Sequence, residues 1–140
     1  MKVTASGLLL SLALWNCGSG KGSTAPAAVE PTLASIQQQL FTPGCALPSC
    51  HSSASRRGGL VLEAGSAYAQ LVGVTAENDA AKAAGKLRVV PGHPEQSFLI
   101  DKLSRLNPGE GSLMPYTGTM LPAAQVEAIR TWIRQGAARD

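Results

Sequence analysis

The chain has 140 residues, which suits one small domain with accessory segments. Apolar residues make up 44% but aromatics only 4%, so a core would rest on Leu, Ile, Val and Ala and would gain from another large apolar body inside. Twelve Lys and Arg stand against nine Asp and Glu, a net charge of +3, with no basic run longer than Arg56-Arg57; that argues against nucleic-acid binding.

Residues 1–17 (MKVTASGLLLSLALWNC) open with Lys2 and the free amine, then run apolar from Val3 to Leu14. The run is too short to span a bilayer and matches the apolar stretch of an export signal, with a buried core helix as the alternative. Leu14-Trp15-Asn16-Cys17 resembles a bacterial lipobox, in which the Cys thiol receives diacylglycerol and becomes the new N-terminus. Leu14 fits that pattern, whereas Trp15 and Asn16 stand where small residues are usual. Cys17 is therefore the candidate lipidation site, and ordinary cleavage that removes it is the alternative. Residues 18–31 are Gly, Ser, Ala and Pro with little to bury, and read as a flexible tether between a membrane surface and a domain at 32–138.

Thr32 caps a short helix over 33–40 whose Leu33, Ile36 and Leu40 share one face; Pro43-Gly44 is expected to end it. Residues 45–59 read as irregular, and Leu60-Val61-Leu62 as a strand or turn. A short helix is expected over 65–74 with Ser66 as its cap, then a surface excursion over 75–85. Pro94 opens a helix to Arg105, with His93 at the cap position. A Gly- and Pro-rich loop fills 107–121. The last helix covers 122–135, with Val126, Ile129, Trp132 and Ile133 on one face and Gly136 closing it. The expected fold class is all-α: three to four short helices joined by long loops. Loops of that length in a small domain have a function or an object to wrap.

The chemistry concentrates at Cys45-Ala46-Leu47-Pro48-Ser49-Cys50-His51. Covalent haem attachment uses two Cys close along the chain, each thiol adding across a haem vinyl group, and a His directly after the second Cys as the proximal iron ligand. Four residues separate the cysteines here, where two are usual, so the backbone must loop out, and Pro48-Ser49 can turn. Cys45 and Cys50 are thus candidate thioether residues and His51 the candidate iron ligand, with haem c as the cofactor. Competing readings are a Cys45–Cys50 disulfide in an oxidising compartment, a zinc site, and a nucleophilic Cys. The Cys count is odd, and lipidation of Cys17 would leave the other two as a pair. For the distal iron ligand, Met114 in the loop before the last helix is preferred, with Pro115 stiffening its approach; Met120 and His93 are alternatives.

Several segments together resemble the small cytochrome c-like domains of exported myxobacterial and planctomycete proteins. They are Ile36 to Cys45 leading into Cys50-His51, the Gly59-Leu60-Val61-Leu62 step, Arg88 to Ile100 with its Pro-Gly-His-Pro-Glu-Gln-Ser core, Met114-Pro115, and Gln125 to Ala137 with Trp132-Ile133-Arg134-Gln135-Gly136-Ala137. The resemblance covers roughly residues 33–138. It implies a mostly helical, class I-like cytochrome c fold with its first and last helices crossing. It carries the family's Cys, Cys and His onto Cys45, Cys50 and His51, and its loop Met onto Met114. Met120 falls where the family often has Pro, and His93 where an acidic residue is common. Arg88 is a candidate partner for a haem propionate, since a buried carboxylate prefers a bidentate Arg; a solvated surface charge is the alternative.

The function implied is outer-sphere electron transfer in the periplasm or cell envelope, between redox partner proteins that the sequence leaves unidentified, with membrane attachment through Cys17. No general acid or base suggests an enzyme. A haem enzyme or sensor with an open iron site, and a haem-free lipoprotein stapled by Cys45–Cys50, are the rival classes.

Overall fold

The computed structural model describes residues 28–116 and 118–140. The export segment, Cys17 and most of the tether lie outside the described residues. Among the described residues, those just before 32 already contact the domain. The Ala28 carbonyl accepts from Gln39, the Glu30 N–H donates to Ser35 Oγ, and Val29 lies on the core.

Among the described residues the regular structure is helical, and the only β pairing is isolated bridges. Helix α1 (Leu33–Ile36) starts where expected, because Thr32 is extended and its hydroxyl accepts from the Ser35 N–H at 3.2 Å. It does not stop before Pro43. It widens directly into a π-helical segment, Gln37–Cys45, that runs through the proline. Pro43 has no N–H, and in an α-helix its ring would strike the carbonyl four residues back. The wider spacing, seen in the 2.7 Å bond from the Ala46 N–H to the Phe41 carbonyl, absorbs it. Leu40 and Phe41 stay in the core as a result, and Cys45 is delivered at the helix end.

Helix α2 (Ala67–Leu71) is shorter than the expected 65–74, because Val72 turns extended and bridges to Val89. The expected surface excursion contains a further helix, α3 (Asp79–Ala83). Asn78 caps it, accepting from the Ala81 N–H at 3.0 Å, and Ala81 packs with Ala76 and Phe98 in a small second core. The helix expected over 94–105 is broken. Pro94–Gln96 makes a single 3₁₀ turn, and α4 covers Phe98–Ser104. Ser97 sits at the break, fully buried and extended. Its hydroxyl accepts from Val90 N–H and donates to the His93 carbonyl, both at 2.9 Å, while the N–H groups of Phe98 and Leu99 donate to the Leu87 and Arg88 carbonyls. Those outside partners outbid a continuous helical ladder.

Helix α5 (Ala123–Arg134) buries Val126, Ile129, Trp132 and Ile133 as expected. Gly136, at φ +102°, ends it: its N–H donates to Ile133 and that of Ala137 to Trp132, both at 2.9 Å, the Schellman pattern. Helix α5 packs on α1 and α4, and Ile36, Leu71, Val89, Ile129, Trp132 and Ile133 are the most deeply buried large apolar side chains. The two ends of the domain are tied together, since Asp140 Oδ1 accepts from the Leu33 N–H at 2.6 Å. No helix among the described residues is long and apolar enough to cross a membrane.

Candidate functional site

Cys45 closes the π-helical segment, half-buried against the main core. The chain then turns back on itself. The Cys50 N–H donates to the Leu47 carbonyl at 2.8 Å, and the His51 N–H returns to the Cys45 carbonyl at 3.0 Å. The long gap between the cysteines is therefore taken up as a closed loop, which sets His51 back against the first Cys. Ser52 Oγ donates to the Pro48 carbonyl at 3.3 Å and Ser55 Oγ to that of Cys50, fastening the loop from inside. Both cysteines are free thiols. Burial, and then the neighbouring Cys50, push the Cys45 thiol up to about 11. It is fully protonated at neutral pH, the opposite of an activated nucleophile.

His51 is half-buried, and its Nδ1 lies 2.9 Å from the Arg57 carbonyl. A carbonyl only accepts, so Nδ1 carries the proton and donates. Burial lowers the His51 pKa below the ordinary imidazole value. The Arg57 and Leu60 carbonyls oppose that shift, and the nearby Lys102 and Arg88 cations add to it. The ring is neutral at pH 7 and Nε2 holds the lone pair, the state a metal ligand requires.

Arg88 is buried, not solvent-facing. Its Nη1 donates to the Gln70 carbonyl at 2.8 Å and its Nη2 to those of Gly58 and Gly59 at 3.3 and 3.2 Å. Burial lowers its pKa, with Glu77 opposing.

Met114 is half-buried on the same core as Cys45, Ala46, Leu60, Leu99 and Leu121, all partly exposed apolar side chains. The Met114–Pro115 peptide is cis. The Met114 N–H donates to the Lys102 carbonyl at 2.7 Å. The Lys102 ammonium donates to the Glu110 carbonyl at 3.0 Å and to that of Ser112. Behind it, buried Glu110 accepts from Lys86 Nζ at 2.5 Å and from the Asn107 backbone and side chain at 2.8 and 3.1 Å, and Lys86 also pairs with Asp101 at 2.7 Å. Met120 and His93 point away, Met120 at 45% exposure and His93 at the surface beside Glu95 at 3.2 Å.

The structure thus brings Cys45, Cys50 and His51 into one closed loop, with Arg88 and Lys102 near the imidazole and Met114 on a shared core. It reveals partners that side-chain patterns do not announce: the Arg57 carbonyl on His51 and the Lys102–Glu110–Lys86 strap on the Met114 loop. The one available hint was a single acid, Glu110, in a loop otherwise without charge. Among the described residues, no group of three or more His, Cys, Asp or Glu is arranged to hold a bare metal ion. Comparison with family models, curated proteins and solved structures finds no match to this chain.

Proposed function

We propose that this chain is an exported electron-transfer protein of cytochrome c type, carrying one haem c. Cys45 and Cys50 would hold the ring by thioethers, and His51 and Met114 would offer the iron a nitrogen and a sulfur ligand. The observation that carries this reading is the state of His51. It follows Cys50 directly, is neutral, and has Nδ1–H committed to the Arg57 carbonyl, which leaves Nε2 as the nitrogen with the lone pair in a loop that carries two unpaired thiols.

The residues present fit such a group. Both thiols are unpaired, as addition to a vinyl group requires. Half-buried Cys45, Leu60, Leu99, Met114 and Leu121 offer apolar surface without filling the core's edge, and a haem would supply the large apolar body that a 4% aromatic content lacks. When bound, the iron supplies a one-electron couple. The protein's part is to fix the two axial side chains, exclude water with its apolar rim, and set the potential by burial and the nearby Lys102 and Arg88 cations. The contact between α1 and α5 is consistent with a cytochrome c-like packing of first and last helices. In this reading Cys17 is lipidated, and the domain works at the envelope on protein electron donors and acceptors.

A second reading has a specific support. The His51 N–H bond to the Cys45 carbonyl at 3.0 Å closes one loop around both unpaired thiols, an arrangement that also suits a disulfide in a haem-free domain.

Purification from an exporting host with a c-haem maturation system separates the two. Soret absorbance with a haem-sized mass increment that survives denaturation is the expected result. A colourless protein, lighter than the reduced chain by two hydrogens, overturns the cytochrome reading and supports the disulfide.

A further inference from the structure

The turn that holds the His51 acceptor has an unusual backbone. Arg56, Gly58 and Gly59 all have left-handed backbone, at φ +47°, +63° and +64°. A non-glycine residue there is unfavourable, and consecutive left-handed residues make no regular ladder. The turn is closed by the bonds from Gly59 N–H to the Arg56 carbonyl at 2.8 Å and from Leu60 N–H to the Arg57 carbonyl at 3.3 Å, and its first half is tied back by Arg56 N–H to the Ser52 carbonyl at 2.9 Å and Arg57 N–H to the Cys50 carbonyl at 3.1 Å; among the described residues, the Gly58–Gly59 half has no such backbone tie to the rest of the domain. Among the described residues, the carbonyls of Gly58 and Gly59 accept from no backbone N–H. Instead the buried guanidinium of Arg88 takes both, and its other nitrogen takes Gln70, the residue before Leu71 at the end of α2. Arg88 itself is fixed by its backbone, which exchanges bonds with Val74 and Leu99 at 2.7 and 2.9 Å. A planar fork with several donors suits three carbonyls in a way that a single ammonium does not.

We infer that Arg88 is the positioning residue for the His51 imidazole: by clamping the Gly58 and Gly59 carbonyls it holds the preceding Arg57 carbonyl on Nδ1–H, and so keeps Nε2 as the ligating nitrogen. The inference rests on the reading of His51 as an iron ligand and refines it. It gives Arg88 a task different from a propionate contact, because its donors are directed at the loop that orients the ligand. The link runs in steps of named bonds: Arg88 to Gly58 and Gly59, then one peptide to Arg57, then 2.9 Å to His51.

The test is made on the full chain purified from the exporting host, in its reduced form, by following solvent exchange of the His51 Nδ1–H resonance at fixed pH. Trp132 Nε1–H, which donates to the Ala138 carbonyl at 2.9 Å and shares no bond with the Arg88 clamp, is the control in the same spectrum. The expected result is a protected His51 ring proton in the parent. In Arg88→Gln its exchange accelerates by about tenfold, the scale of one lost hydrogen bond, while Trp132 Nε1–H is unchanged. Arg88→Lys, which keeps the charge but not the fork, falls between. Gly59→Ala provides a second route that leaves Arg88 in place. Its new Cβ would lie 3.0 Å from Glu77 Cγ and 3.5 Å from Arg88 Nη2 at a φ unsuited to Ala, so it pushes the turn off the clamp and accelerates the same proton. An unchanged His51 rate in both Arg88→Gln and Gly59→Ala overturns the inference, and so does equal acceleration of Trp132. Absorbance of the same samples reports haem separately, so a colourless protein with a protected ring proton sinks the cytochrome reading alone.

Discussion

Lys102 and Met114 are joined at the backbone, with the Met114 N–H donating to the Lys102 carbonyl at 2.7 Å, while the ammonium of the same lysine donates to the Glu110 and Ser112 carbonyls. One residue of α4 therefore holds the loop that carries Met114 at both ends. Burial lowers the Lys102 pKa and Glu110 opposes the shift, which places this cation in a partly desolvated position where its hydrogen bonds count.

Lys102→Met keeps the apolar stem and removes the donors. It is expected to destabilise the protein by about 1–2 kcal/mol, the scale of charge-assisted hydrogen bonds at a partly exposed site. The loss should be local. Native-state hydrogen exchange is expected to speed up at Ser112 to Met114 and to leave α5 unchanged. Uniform acceleration over the chain would mean that Lys102 does not act as a loop strap.

The anchor of that strap gives a pH dependence. Burial alone would raise the Glu110 pKa, but the Lys86 ammonium and the Asn107 donors outweigh it and hold the carboxyl at about 2, below its ordinary value of 4.5. A depressed carboxyl contributes stability that is fully present above about pH 4.5 and is lost as pH falls towards 2. Urea midpoints measured between pH 7 and pH 2.5 should therefore fall more steeply for the parent than for Glu110→Gln, with the two curves converging at the acid end. Parallel curves would show that Glu110 does not carry the acid sensitivity. Burial would lower the Lys86 pKa, yet pairing with Asp101 and Glu110 raises it above 10.5. Its contribution is thus retained at neutral pH and lost only in strong alkali.

Trp132 is the test of the core. It is 1% exposed among Ile36, Ile129 and Ile133, and its indole N–H reaches the Ala138 carbonyl at 2.9 Å. Trp132→Ala should cost about 3–5 kcal/mol, enough to leave a domain this small largely unfolded at room temperature. Trp132→Phe keeps most of the volume but orphans the carbonyl, and should cost about 1–2 kcal/mol by chemical denaturation. Equal losses for the two would mean that the hydrogen bond, not the ring volume, dominates.

What the sequence disclosed follows the range of the interactions. Helix α5 was legible because its four apolar residues recur at helical spacing and Gly136 marks its end. Thr32 marked the start of α1 for the same local reason. Pro43 misled, since a local stop signal was overridden by the burial of Leu40 and Phe41, and the backbone widened to keep both. Helix α3 was missed although Asn78, Asp79, Lys82 and Gly85 are ordinary cap and terminus residues, because an Ala-rich stretch shows no apolar stripe. At the site, Cys45, Cys50 and His51 are adjacent in sequence and could be read together. The Arg57 carbonyl, the Arg88 clamp and the Lys102 strap could not, since backbone acceptors have no residue signature and their donors lie far along the chain.

If the chain carries the proposed haem, the choice between the loop methionines can be settled on the loaded protein. Met114 packs half-buried on the core that holds Cys45, and its backbone is pinned to α4; Met120 is 45% exposed in the same loop. A soft sulfur ligand needs a fixed, desolvated position, which only the first of these has. Met114→Ala is expected to open the distal side. The reduced protein should then bind carbon monoxide readily, and its reduction potential should fall, because a thioether favours the ferrous state relative to water or a nitrogen base. Met120→Ala should match the parent in both respects. Carbon monoxide binding and potential that are unchanged in Met114→Ala would remove Met114 as the distal ligand, and a change confined to Met120→Ala would transfer that role to Met120.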